Sequence, residues 1–164
     1  MKKISYLIIS FILLINITAC SGYKPIFSST NLKFEIADYS IVGDKKLGKQ
    51  IYSKLNIASK ANKDSSEVRS IFILINVSKV KKATAKDSAG KILEYKIDLK
   101  TNILVKDYLT EDLIIDENFS SSISYKTQNQ FSETIKFETR SVNSLLDKIY
   151  KEFLIKLTEK FQKT

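Results

Sequence analysis

LEYKIDLKTNILVK, residues 93–106, decides the fold. Leu93, Tyr95, Ile97, Leu99, Thr101, Ile103 and Val105 share one parity, and Glu94, Lys96, Asp98, Lys100, Asn102 and Lys106 share the other. Successive side chains of a strand point to opposite sides, so this spacing predicts a strand with one dry and one wet face. An antiparallel sheet covered on one side produces such a pattern; a parallel sheet buried on both sides does not.

Upstream, Ile71, Ile73, Ile75 and Val77 form one face of another strand, and Phe72 and Leu74 suggest burial on both sides at its start. Ala89-Gly90 marks the turn between the two. Downstream, a polar turn near Thr110-Glu111-Asp112 leads to a further strand. There Leu113, Ile115, Phe119, Ile123 and Tyr125 face one way and Ser120, Ser122 and Ser124 the other, with a bulge expected near Glu117, which breaks the apolar parity. These three strands read as a meander. Before them, Leu32, Phe34 and Ile36 begin a first strand that continues through Tyr39 and Ile41. Gly43-Asp44 then reads as a turn and helix start, and Leu47, Ile51, Leu55 and Ala58 fall on one helical face. The C-terminal third repeats apolar residues every three or four positions (Val142, Leu146, Ile149, Phe153, Leu157, Phe161), with Ser132, Thr139 or Ser141 as the N-cap. The order β-α-β-β-β-α predicts an α+β fold: a two-layer sandwich with a four-stranded, mostly antiparallel sheet and two helices on one face.

The N-terminus reads differently. Lys2 and Lys3 precede Ile4–Ile15, which is apolar apart from Ser5 and Ser10. A run this short fits a secretory signal better than a membrane span of about 20 residues. Ile17-Thr18-Ala19-Cys20 follows, and Cys20 is the only cysteine, so no intramolecular disulfide is available. The aliphatic-small-small-Cys order resembles the bacterial lipobox. That resemblance implies cleavage before Cys20 and a covalent lipid on its thiol and new amino group. One acyl chain anchors only marginally, and several anchor stably. Ser21 after the cysteine implies, by the same resemblance, sorting to the outer membrane. The chain is thus expected to comprise a signal peptide (1–19), a lipidated tether (20–31) and a single α+β domain (32–164).

Catalysis has little to work with. There is no His for general-base duty, no Gly-rich phosphate loop and no His/Cys cluster for zinc. Glu111-Asp112 and Asp116-Glu117 are sequence neighbours, which on a strand point apart. The expectation is a non-enzyme with no metal and no cofactor beyond the lipid on Cys20. What remains is positive charge: Lys+Arg exceed Asp+Glu by 27 to 18. Lys79, Lys81, Lys82, Lys86 and Lys91 bracket the second hairpin turn and suit a polyanion. For an exported lipoprotein that means lipid phosphate rather than nucleic acid. The competing reading is a solvated lysine-rich loop. The alternating strand 93–106 also suits a small wedge with a polar rim, able to fill a barrel lumen.

Taken together, these features resemble the lipopolysaccharide-assembly lipoprotein family LptE in its alphaproteobacterial form. The residues that carry the resemblance are Cys20-Ser21-Gly22-Tyr23-Lys24-Pro25-Ile26-Phe27, Tyr95 in the long strand, and Ser122-Ile123-Ser124-Tyr125-Lys126-Thr127 with Phe131-Ser132 before the long helix. Ser21 is an extra residue between Cys and Gly, and Lys126 replaces an Asn frequent in the family. The resemblance implies a lipid-anchored protein on the periplasmic side of the outer membrane. It would plug the LptD β-barrel, help that barrel assemble, and take part in lipopolysaccharide transport to the outer leaflet. Lys81, Lys82, Lys86 and Lys91 would then contact lipopolysaccharide. An envelope scaffold or binding lipoprotein without a barrel partner is the alternative.

Overall fold

The structure, a computed structural model, describes residues 33–60 and 68–162. Its elements run β1 (Phe34–Gly43), α1 (Lys45–Lys60), β2 (Arg69–Lys86), β3 (Ile92–Asp107), β4 (Leu113–Lys126) and α2 (Phe131–Gln162). The sheet order is β1-β2-β3-β4. β1 runs parallel to β2, and the other two pairings are antiparallel. The sheet is therefore mixed, and the β-α-β-β-β-α order is the one the periodicities predict. Leu32, and the residues of the signal and tether including Cys20, lie outside the described residues.

The parallel step needs a crossover, and α1 supplies it. Its start is built locally. The Asp44 side chain accepts hydrogen bonds from the backbone N–H groups of Lys46 and Leu47, both at 3.1 Å, which caps the helix. Gly43 before it has φ +77° and lies against β2, where a Cβ would sit 2.2 Å from the Val77 carbonyl oxygen. That same oxygen accepts the Asp44 N–H at 2.8 Å. Only glycine fits this corner.

One side of the sheet is dry. Ile71, Ile73, Ile75 and Val77 of β2 and Ile97, Leu99, Ile103 and Val105 of β3 are buried there. Leu47, Ile51 and Leu55 of α1 and Val142, Leu146, Ile149, Phe153 and Leu157 of α2 close over them. Phe119 of β4 meets Phe153 edge-on at 6.2 Å, and Phe34 of β1 meets Phe161 at 6.5 Å, so α2 is stitched to both sheet edges. No helix among the described residues is long and apolar enough to cross a membrane.

The irregularities correct several expectations. The β1–β2 register shifts between Ile36 and Asp38, leaving Ala37 as the extra residue. This bulge moves the core-facing parity from Phe34 and Ile36 to Tyr39 and Ile41. In β4 the shift sets Ile115 opposite Val105 but Leu113 opposite Lys106, so the bulge falls at Ile114, not near Glu117. Glu117 stays in register opposite Ile103. Ser132 is not the cap of α2. The Gln130 carbonyl accepts the N–H groups of Glu133 and Thr134, so the helix starts at Phe131, two residues earlier than a Ser132 cap would place it, and Thr139 and Ser141 are interior. Thr139 returns its hydroxyl proton to the Ile135 carbonyl at 2.9 Å, the habit of a mid-helix threonine. Phe72 and Leu74 are half-buried on the open face rather than covered.

Candidate functional site

β2 and β3 end in a basic hairpin arm, in which residues 79 to 91 are all exposed; its root is still three-stranded, since β4 pairs with β3 as far as Glu94, and only the tip beyond Ala85 is two-stranded. Its turn is closed by Asp87, whose side chain accepts from the N–H groups of Ala89 (3.0 Å) and Lys91 (2.8 Å). Gly90, at φ +83°, supplies the left-handed residue. The basic residues predicted from sequence therefore occupy a projecting arm, but not as one cluster. Lys86 ends β2 and Lys91 precedes β3, so these two flank the turn. Lys82 lies opposite Lys96 on β3, across from Ser124 on β4, on the open face of the sheet. Lys81 points the other way.

The Lys81 ammonium meets Glu138 of α2 at 2.5 Å and sits 4.1 Å from the ring centre of Tyr95 and 5.8 Å from that of Tyr125. The two rings stack at 5.8 Å. The Tyr125 hydroxyl donates to the same Glu138 oxygen at 3.0 Å, and Lys79 approaches the other oxygen at 3.9 Å. The lysine is held by a carboxylate and two π faces together. Burial pushes the Glu138 carboxyl up, but the hydrogen bonds from Lys81 and Tyr125 outweigh it and leave its pKa below the usual value. Burial likewise lowers Lys81, yet its bonds to Glu138 and Tyr125 leave it raised. Burial raises the Tyr125 phenol. The cluster pins the root of the arm to α2. Glu138 was invisible to periodicity because it lies 57 residues from Lys81; only the folded register joins them.

The open face of the sheet is the second feature. Asn76, Asn102 and Asn118 form one row across β2, β3 and β4. Ser78, Lys100 and Ser120 form the next, then Val80, Asp98 and Ser122. The Asn102 amide donates to Asn118 in the same row (3.3 Å) and to Asp116 in the next (2.8 Å). A shallow depression lies along Asn76, Ser78, Asn102, Asn118 and Ser120. The wet parity of residues 93–106 foretold one strand of this face. The asparagine row needed the register.

At the opposite end, Asp107 accepts from Arg69 (2.8 Å) and from the N–H groups of Leu109 and Thr110. The Arg69 guanidinium and these two donors hold its carboxyl down at about 2. This is a turn-closing device, not chemistry. Among the described residues no group of His, Cys, Asp and Glu could hold a metal ion.

The described domain is thus a two-layer α+β sandwich with an uncovered polar sheet face and a basic arm pinned at its root. Solved structures share this fold. A protein from Caulobacter crescentus, described as a candidate lipoprotein, aligns with a TM-score of 0.56 at 11% identity over 82% of this chain and 93% of its own. A minor lipoprotein from Acinetobacter baumannii aligns equally well (0.56, 11%) over 78% and 92%. The uncharacterized lipoprotein B from Nitrosomonas europaea does so (0.56, 11%) over 81% and 88%. No family model matches the chain, and no curated protein matches it in sequence.

Proposed function

We propose that this chain is a lipid-anchored outer-membrane lipoprotein that plugs and helps assemble the LptD β-barrel and takes part in lipopolysaccharide transport. The observation that carries the reading is the uncovered sheet face. Three rows of amide, hydroxyl and charged groups, interrupted only by Val80, cross β2, β3 and β4, and among the described residues the two helices pack on the other face. Such a wall suits the polar, water-filled interior of a large barrel. The lipobox-like Ile17-Thr18-Ala19-Cys20 supports a lipid anchor, and the fold is one that proteins described as lipoproteins adopt. On this reading the protein works by shape and charge rather than by turnover.

Lys86 and Lys91 at the tip of the arm, and Lys82 on the open face, present positive charge to lipopolysaccharide phosphates. Lys81 serves differently: it holds the arm to α2 through Glu138. Photo-crosslinking from position 120, in the centre of the open face, tests the reading in cells. Capture of a large β-barrel supports it. Capture of periplasmic proteins alone favours a scaffold lipoprotein without a barrel.

A further inference from the structure

We infer that the free edge of β4 is a self-pairing surface for a second copy of this chain, in an antiparallel register centred on Ser121. Among the described residues β4 pairs only with β3, so its other edge presents unpaired backbone groups. The ladder fixes which groups these are. The Thr127 N–H bonds the Leu93 carbonyl at 2.9 Å, and the register runs unbroken from there to Ile115. Odd-numbered residues therefore bond to β3, and Asp116, Asn118, Ser120, Ser122, Ser124 and Lys126 aim their N–H and C=O groups outward, the Lys126 carbonyl also accepting from the Gln128 side-chain amide at 3.3 Å.

Neither proline nor glycine interrupts β4, and residues 118 to 125 carry no charge. Charges that would deter strand addition sit only near the ends: Asp116 and Glu117 at one, Lys126 at the other. A two-fold axis through Ser121 converts them from a deterrent into a match. It sets Asp116 opposite Lys126 of the second copy, Asn118 opposite Ser124, and Ser120 opposite Ser122. All are outward-bonding residues, as hydrogen-bonded pairs must be. Phe119 then faces Ile123 on the helical side. A shift of the axis by one residue either way breaks the Asp116–Lys126 pairing, so charge selects this register. The inference is independent of the barrel reading: it concerns a strand edge, whereas that reading concerns the open face.

Density-matched sedimentation of the full chain in detergent, produced without a co-expressed barrel, tests it. A dimer fraction that rises between about 1 and 100 µM is expected. Ser122→Pro removes one outward N–H and leaves the β3 ladder intact. It should yield monomer with an unchanged circular dichroism spectrum. Asp116→Lys should weaken dimerisation at least tenfold, and Asp116→Lys with Lys126→Asp should restore it. A wild-type monomer throughout the range overturns the inference. So does a Ser122→Pro dimer, or a dimer indifferent to the charge swap.

Discussion

Removing the Glu138 carboxylate should loosen the arm at its root. Glu138→Ala strands the Lys81 ammonium between Tyr95 and Tyr125 and deprives the Tyr125 hydroxyl of its acceptor. An exposed ion pair contributes about 0–1 kcal/mol, while breaking a buried one costs about 3–5 kcal/mol. The side chains here are 18% exposed for Glu138 and 31% for Lys81, between those limits. A hydrogen bond to a charged group contributes about 1.5–3 kcal/mol, so a loss of about 2 kcal/mol is expected. For a domain of this size that lowers Tm by roughly 6–10 °C. Glu138→Gln keeps a carbonyl for Tyr125 and should cost about half as much. Urea unfolding followed by circular dichroism, with a double-mutant cycle against Lys81→Met, measures both the total and the coupling. The pH dependence has a fixed sign. The depressed Glu138 contributes stability above its ordinary value of 4.5 that is lost as pH falls through its lower folded value. The raised Lys81 contributes stability below 10.5 that is lost as pH rises past its folded value. A Glu138→Ala change under about 0.5 kcal/mol, with no coupling to Lys81, would refute the latch.

Gly43→Ala must move the Val77 carbonyl or abandon φ +77°, and a loss of about 2–4 kcal/mol in urea unfolding is expected. Asp107, held at about 2 by Arg69 and two backbone donors, contributes stability that disappears as pH falls from about 4 to 2; Asp107→Asn should remove that part of the acid transition. Thr101 Oγ1 is buried without a hydrogen-bond partner, so Thr101→Val should raise stability by about 1 kcal/mol. Gln at Lys82, Lys86 and Lys91 should weaken lipopolysaccharide binding, with less salt dependence than the wild type, whereas Lys81→Gln should act on stability instead.

The fold was largely legible because each strand carries its own alternation. Residues 93–106 announced their dry and wet faces, and Asp44 announced the helix it caps. Boundaries and bulges were less legible. Glu117 broke the apolar pattern and drew the expected bulge, yet a half-buried carboxylate is tolerated in register, and the real shift at Ile114 hides inside an apolar run. Ser132 looked like a cap because hydroxyl residues favour that position, but the chain enters α2 at Gln130, where Thr134 also takes the Gln128 N–H. The site divided the same way. The charge of the arm lay in lysines close together in the sequence, so it could be read. Its partition could not: Lys81 and Lys82 are neighbours that a strand sends to opposite faces, and Glu138 reaches one of them only through tertiary packing.

The most direct test of the account is affinity purification of the tagged full chain from separated outer and inner membranes. A stoichiometric large β-barrel in the outer-membrane eluate, and fatty-acylated Cys20 at the mature N-terminus by mass spectrometry, are the expected result. An unmodified Cys20 thiol, or an eluate with only inner-membrane partners, would contradict it.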